Sequence, residues 1–148
     1  MAFTLLAGCG GGNSESPEAA DNGESNSGLT EFQMKHGIGP VTEAVSLGAE
    51  VNSSLVEEGE KVFKTKCSAC HKMEQDYVGP PLGDVLEKRT PTYVMNMILN
   101  PVEMTKKHPD AREMLGQYMN QMTFQNVTKE QARSIVEYLR TQDDESEQ

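Results

Sequence analysis

A chain of 148 residues without tryptophan and with 5 % aromatic residues has room for one domain but few apolar side chains to fill its core. We therefore expect a buried cofactor to supply part of the apolar volume. The net charge of −10 lies at the ends: residues 1–58 hold nine acids and one base (−8), residues 59–140 ten acids and twelve bases (+2), and residues 141–148 four acids (−4). This distribution, without a basic run interleaved with aromatics, argues against a nucleic acid partner.

The first 28 residues predict export and a lipid anchor. The stretch Leu6-Ala7-Gly8-Cys9 matches the small-residue sequence before a lipid-modified cysteine in bacterial export signals, so Cys9 is the predicted lipidation site. Residues 1–5 are short and uncharged, so we interpret residues 1–9 as a truncated signal, with an accidental match as the alternative. Residues 10–28 are rich in Gly, Ser and Glu and predict a flexible tether. No stretch could span a bilayer, so attachment would rest on the lipid.

Residues 29–54 are predicted to form an extended arm laid over the domain, because glycines and Pro40 interrupt their apolar residues. His36 lies in this arm. A histidine in such a setting is more often a surface or packing residue than a ligand or a pH-sensitive group. The domain itself is predicted to span residues 55–141, and residues 142–148 form an acidic tail.

Four helices are predicted from apolar residues at helical spacing, and no strand pattern occurs, so the fold class is all-α. The second begins with a proline at its first turn and ends before Asn100-Pro101. The last begins with Thr128-x-x-Gln131, which is a capping box. The predicted helices span residues 55–71, 91–99, 110–119 and 128–140.

The motif Cys67-Ser68-Ala69-Cys70-His71 is the sequence signal for covalent haem attachment. On a continuous helix, which advances about 100° per residue, the side chains of Cys67, Cys70 and His71 leave from one face. Two thioether-forming sulfurs would then lie along one porphyrin edge, with an imidazole under the iron. The alternatives are a redox pair, which needs a preceding strand, a zinc site, which needs a second ligand pair, and a chance match. The motif therefore predicts one covalent haem c (heme c), with His71 as an iron ligand.

The sixth iron ligand is predicted to be a methionine thioether, the usual partner that raises the haem potential. Among nine methionines, Met1, Met34 and Met73 lie in the wrong places along the chain, and the two within the helix 91–99 are more typical of core packing. The remaining candidates are Met104, Met114, Met119 and Met122. Met122 precedes a loop that leads into the last helix, so its backbone is not committed to a helix. Met122 is the preferred ligand and Met119 the second.

Together these motifs resemble the class I cytochrome c family over roughly residues 55–141. A glycine and an aromatic precede the cysteines, a Gly-Pro-x-Leu loop follows them, and a methionine loop leads into a terminal helix that ends apolar-x-x-Tyr-Leu. The sequence departs from the family at Thr123, where proline is frequent, and in a longer segment before Tyr118. The residues that carry the resemblance are Gly59, Phe63, Gly79, Pro80, Pro81, Leu82, Met122, Ile135, Tyr138 and Leu139.

The resemblance implies further features of the site. The carbonyl of Pro80 would accept the second ring N–H of His71, fixing its tautomer and strengthening it as an iron ligand. Leu82 would belong to the cofactor-binding residues. Gly59 and Phe63 would cross the last helix and close the fold. More closely, the sequence is similar to lipid-anchored monohaem bacterial cytochromes with an N-terminal arm.

The function implied is a non-enzymatic electron carrier at the periplasmic or extracytoplasmic face of a bacterial membrane. It would receive single electrons from a quinol-oxidising complex and pass them to a haem-copper oxidase, or to a nitrous oxide or nitrite reductase. The alternatives are a small peroxidase with an open sixth position and a fixed subunit of a respiratory complex, with the arm as its interface.

Four lysines crowd the helix that precedes and bears the cysteines: Lys61, Lys64, Lys66 and Lys72. They predict a positive ring that steers the protein onto an acidic partner, with a solvated helix face as the alternative.

Overall fold

Helices account for every regular element that the computed structural model describes, which covers residues 28–143. In chain order they are α1 (Glu31–His36), α2 (Ser53–Lys66), α3 (Val85–Lys88), α4 (Pro91–Leu99), α5 (Pro101–Lys107), α6 (Pro109–Tyr118) and α7 (Lys129–Asp143). The predicted all-α fold class is confirmed. Cys9, the export signal, residues 10–27 and residues 144–148 lie outside the described part of the chain. None of the helices within residues 28–143 is long and apolar enough to cross a membrane.

Each of the four predicted helices exists, and three of them have shifted ends. The helix 91–99 has its predicted bounds, while those at 110–119 and 128–140 are displaced by one to three residues. The predicted capping box of α7 is present: the Gln131 amide donates to the Thr128 hydroxyl at 3.2 Å, and the Thr128 amide to the Gln131 side chain at 3.1 Å. The first predicted helix ends at Lys66 rather than at His71.

Helix α2 crosses helix α7 at Gly59, as the resemblance implied. A Cβ at Gly59 would lie 2.0 Å from the carbonyl oxygen of Ser134, so only glycine permits this approach. One turn further along α2, the ring of Phe63 packs on that of Tyr138, with centroids 5.5 Å apart. Phe63 and Ile135 are both buried in the core. The crossing therefore fixes the end of α2 against the C-terminal helix.

The arm contains a helix, which corrects the prediction of an extended segment over residues 29–54. Helix α1 begins after a capping box in which the Gln33 amide donates to Thr30 at 3.2 Å and the Thr30 amide to the Gln33 side chain at 3.0 Å. Its last residue is His36, whose ring stacks on Phe32 and whose Nδ1 lies 3.0 Å from the Thr90 hydroxyl. This agrees with a packing role for His36.

Beyond α1 the arm is held by a buried amide of α4. The side chain of Asn96, which is 0 % exposed, accepts from the Val41 amide and donates to the carbonyls of Val41 and His36, each at 3.0 Å. A buried side-chain amide whose donor and acceptor groups are both hydrogen-bonded favours one alignment of the arm along α4. The arm is therefore fixed along α4.

The sequence did not predict two further helices, α3 and α5. Pro101 does end α4, but it also opens α5 at once, because proline is tolerated in the first turn of a helix, where its missing N–H has no partner. Helix α3 has four residues, too few to give a periodic pattern. Helices α4, α5 and α6 consequently follow one another with almost no connecting residues.

The crossing at Gly59 is tested by adding one methyl group. Gly59→Ala should lower the free energy of unfolding of the protein by about 2–3 kcal/mol, because the backbones of α2 and α7 must separate. Gly116→Ala on α6 is the matched control, since nothing lies within 4 Å of its Cβ position and alanine favours a helix by up to ~1 kcal/mol. Denaturant unfolding that gives equal midpoints for both variants would contradict the crossing.

Candidate cofactor site

A cavity of about 590 Å³ lies between α2 and α7 on one side and α4, α6 and the loop before α7 on the other. This volume is typical of a cofactor site, which spans roughly 300–1,000 Å³. Its lining is largely apolar, with Phe63, Ile98, Ile135 and Leu139 contributed by the core. The core residues therefore surround the cavity, which fits the expectation that a cofactor supplies part of the apolar volume of the core.

The Cys-x-x-Cys-His motif forms a tight turn at the end of α2 rather than a continuation of the helix. The Ser68 amide bonds the carbonyl of Phe63, five residues back, so the last turn of α2 is widened at Cys67. The amides of Cys70 and His71 then both donate to the Cys67 carbonyl, at 3.0 and 2.9 Å. The helical geometry that we expected is thus wrong in detail, but all three motif side chains line the cavity.

The ring of His71 is held from one side by the loop that follows it. Its Nδ1 lies 2.9 Å from the Pro80 carbonyl oxygen, and since a carbonyl can only accept, Nδ1 carries a proton, so that in the neutral ring the lone pair is on Nε2. Gly79 packs against the ring, where a Cβ would lie 2.6 Å from Cε1. A neutral imidazole with an oriented Nε2 is the form that binds a metal.

The neighbouring Gly-Pro-x-Leu residues also meet the cavity. Pro80, Pro81 and Leu82 line it, and the Leu82 amide donates to the Lys72 carbonyl at 2.9 Å. This bond folds the loop back onto the motif. Of the predicted cofactor-binding residues, Pro80 therefore bonds His71, and Leu82 lines the same cavity.

The thiol of Cys67 does not have the properties of a redox-active cysteine. Burial raises its pKa to about 11, with Lys66 opposing and Cys70 adding to this shift. Reactive cysteine pairs instead have a lowered pKa, because the thiolate is the nucleophile. Within residues 28–143 no group of three or more Cys, His, Asp or Glu side chains could hold a metal ion, so a zinc site gains no support either.

The four methionines that the sequence left open differ in their position and burial. Met122 lies in the non-helical segment before α7 and lines the cavity, as does Met114 on α6. Met119 is the left-handed C-cap of α6 (φ 56°) and is 84 % exposed. Met104 is completely buried under the arm, where its sulfur accepts from the Ile38 amide at 3.0 Å. Met97, which we had assigned to the core, also lines the cavity.

Sequence reasoning missed two cavity residues on the side of α4. The Tyr93 ring is buried, its burial raises the pKa of the hydroxyl to about 12, and the Arg89 guanidinium lies 5.0 Å from the ring centroid. Arg89 also pairs with Asp110 at the start of α6. No motif marks these residues; only the apolar character of α4 indicated that one face of this helix would be buried.

The four lysines of the predicted positive ring make several contacts within the chain. Lys64 pairs with Glu60 at 2.7 Å, Lys72 donates to the Ser68 carbonyl at 2.9 Å, and Lys66 donates to the Gln125 carbonyl at 2.9 Å. Lys61 is exposed on α2. The lysines thus lie close to the motif, but Lys72 also holds the motif turn and Lys66 holds the segment before α7.

Residues 56–143 match the family model of cytochrome c. The chain belongs to the cytochrome c family. As a class I c-type cytochrome it carries covalently bound haem c, consistent with the Cys-x-x-Cys-His arrangement at the cavity. The family supports a monohaem electron carrier. No curated protein matches the sequence.

Solved structures agree with this assignment. The cytochrome c from Rhodothermus marinus is 40% identical, with a TM-score of 0.72 over 76% of this chain and 97% of its own. An engineered form of that cytochrome is 39% identical, with a TM-score of 0.71 over 76% of this chain and 96% of its own. The engineered form bound to a carbene intermediate gives 39% identity and a TM-score of 0.69 over the same shares. The likeness therefore extends beyond the residues that the family model matches.

The close packing of Gly79 on His71 predicts the effect of a methyl group there. Gly79→Ala should displace the imidazole and weaken its bond to Pro80, lowering the unfolding free energy of the haem-loaded cytochrome by about 1–3 kcal/mol. The ferric absorption spectrum should change with it. Gly48→Ala is the control, because the nearest atom to its Cβ position is 3.7 Å away. A Gly79→Ala protein with the parent's spectrum and denaturation midpoint would refute this role.

Proposed function

We propose that this cytochrome shuttles single electrons in a respiratory chain, with its iron held between His71 and Met122. Cys67 and Cys70 would attach the cofactor through thioethers, and Leu82 would pack against it. Haem c supplies an iron centre that alternates between two oxidation states. The observation that carries the proposal is the His71 ring at the cavity, with Nδ1 bonded to Pro80 and Nε2 left to bind iron.

Several observations favour Met122 over the other methionines as sixth ligand. Its backbone belongs to no helix, so it is free to adjust to the iron, whereas Met97 and Met114 sit on helices. The sulfur of Met104 is already engaged under the arm. Met119, the second candidate, turns outward at the end of α6. With His71 and Met122 both holding the iron, no coordination position would be left open to a substrate, which favours an electron carrier over a peroxidase.

Removal of the thioether tests the ligand. Met122→Ala should leave the haem covalently attached but open the sixth position, so that carbon monoxide binds the ferrous protein rapidly, as followed by rapid-mixing absorbance. The weak red band of the methionine-ligated ferric form should also disappear. Met119→Ala is the matched control and should behave like the parent. If Met119→Ala opens the position and Met122→Ala does not, the assignment is wrong.

The proposed partners follow from the same function. The electron donor would be a quinol-oxidising complex, and the acceptor a haem-copper oxidase, with a nitrous oxide or nitrite reductase as the alternative. The arm contacts α4 of its own chain through Asn96 and Thr92, which supports a free carrier over a fixed subunit that uses the arm as its interface.

Docking is proposed to occur at the lysines near the motif. If they steer the cytochrome onto an acidic patch, the bimolecular electron-transfer rate should fall as salt shortens the screening length to about 10 Å at 0.1 M. Lys61→Glu should lower the rate at low salt and flatten this dependence, while Lys35→Glu in the arm makes the same charge change away from the motif. Stopped-flow kinetics in which the parent's rate rises with salt would exclude this docking mode.

The proposed location is the extracytoplasmic face of a bacterial membrane, with Cys9 lipidated. Residues 10–28 would then act as a tether that raises the effective concentration of the haem domain near membrane partners. Cys9→Ser, in a chain supplied with a complete export signal, should move the cytochrome from the membrane fraction to the soluble fraction without changing its absorption spectrum. A Cys9→Ser protein that stays in the membrane fraction would refute the anchor.

A further inference from the structure

The segment between α6 and α7, residues 119–128, makes little contact through its side chains. We call it the methionine loop. Its residues Met119, Asn120, Gln121, Thr123, Phe124 and Asn126 are exposed, and Val127 is its only residue in the buried core. The backbone is left-handed near both ends, with φ of 56° at Met119 and 53° at Asn126. Such a conformation is costly for methionine and tolerated by asparagine.

Apart from the capping box between Thr128 and Gln131, two side-chain hydrogen bonds join the methionine loop to other elements within the described residues. The Gln121 amide donates to the Thr105 hydroxyl of α5 at 3.3 Å. The Lys66 ammonium donates to the Gln125 carbonyl at 2.9 Å. The second bond is shorter and involves a charged donor, and such bonds are about twice as strong as neutral ones. Lys66 therefore makes the stronger of the two connections.

Lys66 connects the Cys-x-x-Cys-His motif to the methionine loop. It is the last residue of α2 and immediately precedes Cys67, so the helix holds its backbone next to the first attachment cysteine. Its side chain is half-buried and lines the cavity on the way to Gln125, three residues after Met122. The stem of a lysine can cover apolar surface while its ammonium reaches a polar group. The bond thus joins the residue before the motif to the loop that carries the proposed sixth ligand, and both of its residues line the cavity.

We propose that Lys66 is a positioning residue that latches the methionine loop closed. Breaking its bond to Gln125 raises the population of the open loop and gives a small neutral ligand access to the sixth coordination position. Loops with few buried contacts open at low free-energy cost, so one charge-assisted bond has a large effect on opening. This inference rests on the proposed function, in which Met122 is that ligand.

The test measures carbon monoxide binding to the ferrous, haem-loaded cytochrome by rapid mixing. Lys66→Met keeps the length and apolar stem but removes the donor, and should bind carbon monoxide about tenfold faster, equivalent to about 1.4 kcal/mol. Lys66→Arg retains a charged donor and should stay within about twofold of the parent. Lys64→Met is the matched control, because it makes the same charge change two residues away on α2.

The outcomes separate this proposal from the ligand assignment. If Met122→Ala binds carbon monoxide rapidly and Lys66→Met does not exceed the parent, the latch is wrong and the ligand stands. If Met122→Ala is unchanged, the ligand itself is wrong. Faster binding in Lys64→Met, or in Lys66→Arg to the same degree as in Lys66→Met, would also overturn the latch. Should Lys66→Met fail to load haem, Lys66→Gln, whose amide is too short to reach Gln125, is read in the same way.

Discussion

The backbone contact between α2 and α7 at Gly59 is the constraint on which the other features depend. It places Phe63 and Ile135 beside one another, and both line the cavity that the cofactor requires. Because α2 ends at Lys66, the same contact sets the position of the Cys67 turn at the cavity edge. A larger residue at position 59 would separate the two helices and with them the wall that supports the haem.

The opposite wall is assembled from short helices that the arm stabilises. Helices α4, α5 and α6 follow one another directly, each begun by a proline, and bring Tyr93 and Met114 to the cavity. The buried Asn96 binds the backbone of the arm on the far side of α4. At the end of the arm, Glu137 of α7 is 1 % exposed and accepts from the Asn52 amide at 3.0 Å. Burial alone would raise the pKa of Glu137, but this bond and Arg133 lower it. The arm therefore connects both walls.

The sequence predicted what is encoded locally and missed what depends on distant contacts. The motif, the glycine at the crossing and the capping box of α7 were all readable, because each is a short pattern with one physical meaning. Helix α1 has the same kind of capping box, but its six residues lie between glycines and give no periodicity. The end of α2 depends on a widened turn that spacing does not reveal. The hydrogen bond between Lys66 and Gln125 joins residues 59 apart and could be found only in three dimensions.

We propose that the iron is held by an imidazole and a methionine sulfur across the cavity between the two helical walls. X-ray absorption at the iron edge of the purified, haem-loaded cytochrome measures this directly. The account predicts one sulfur scatterer in the first coordination shell, together with the porphyrin nitrogens and one imidazole nitrogen. A first shell without sulfur, or with a second imidazole in its place, would contradict it.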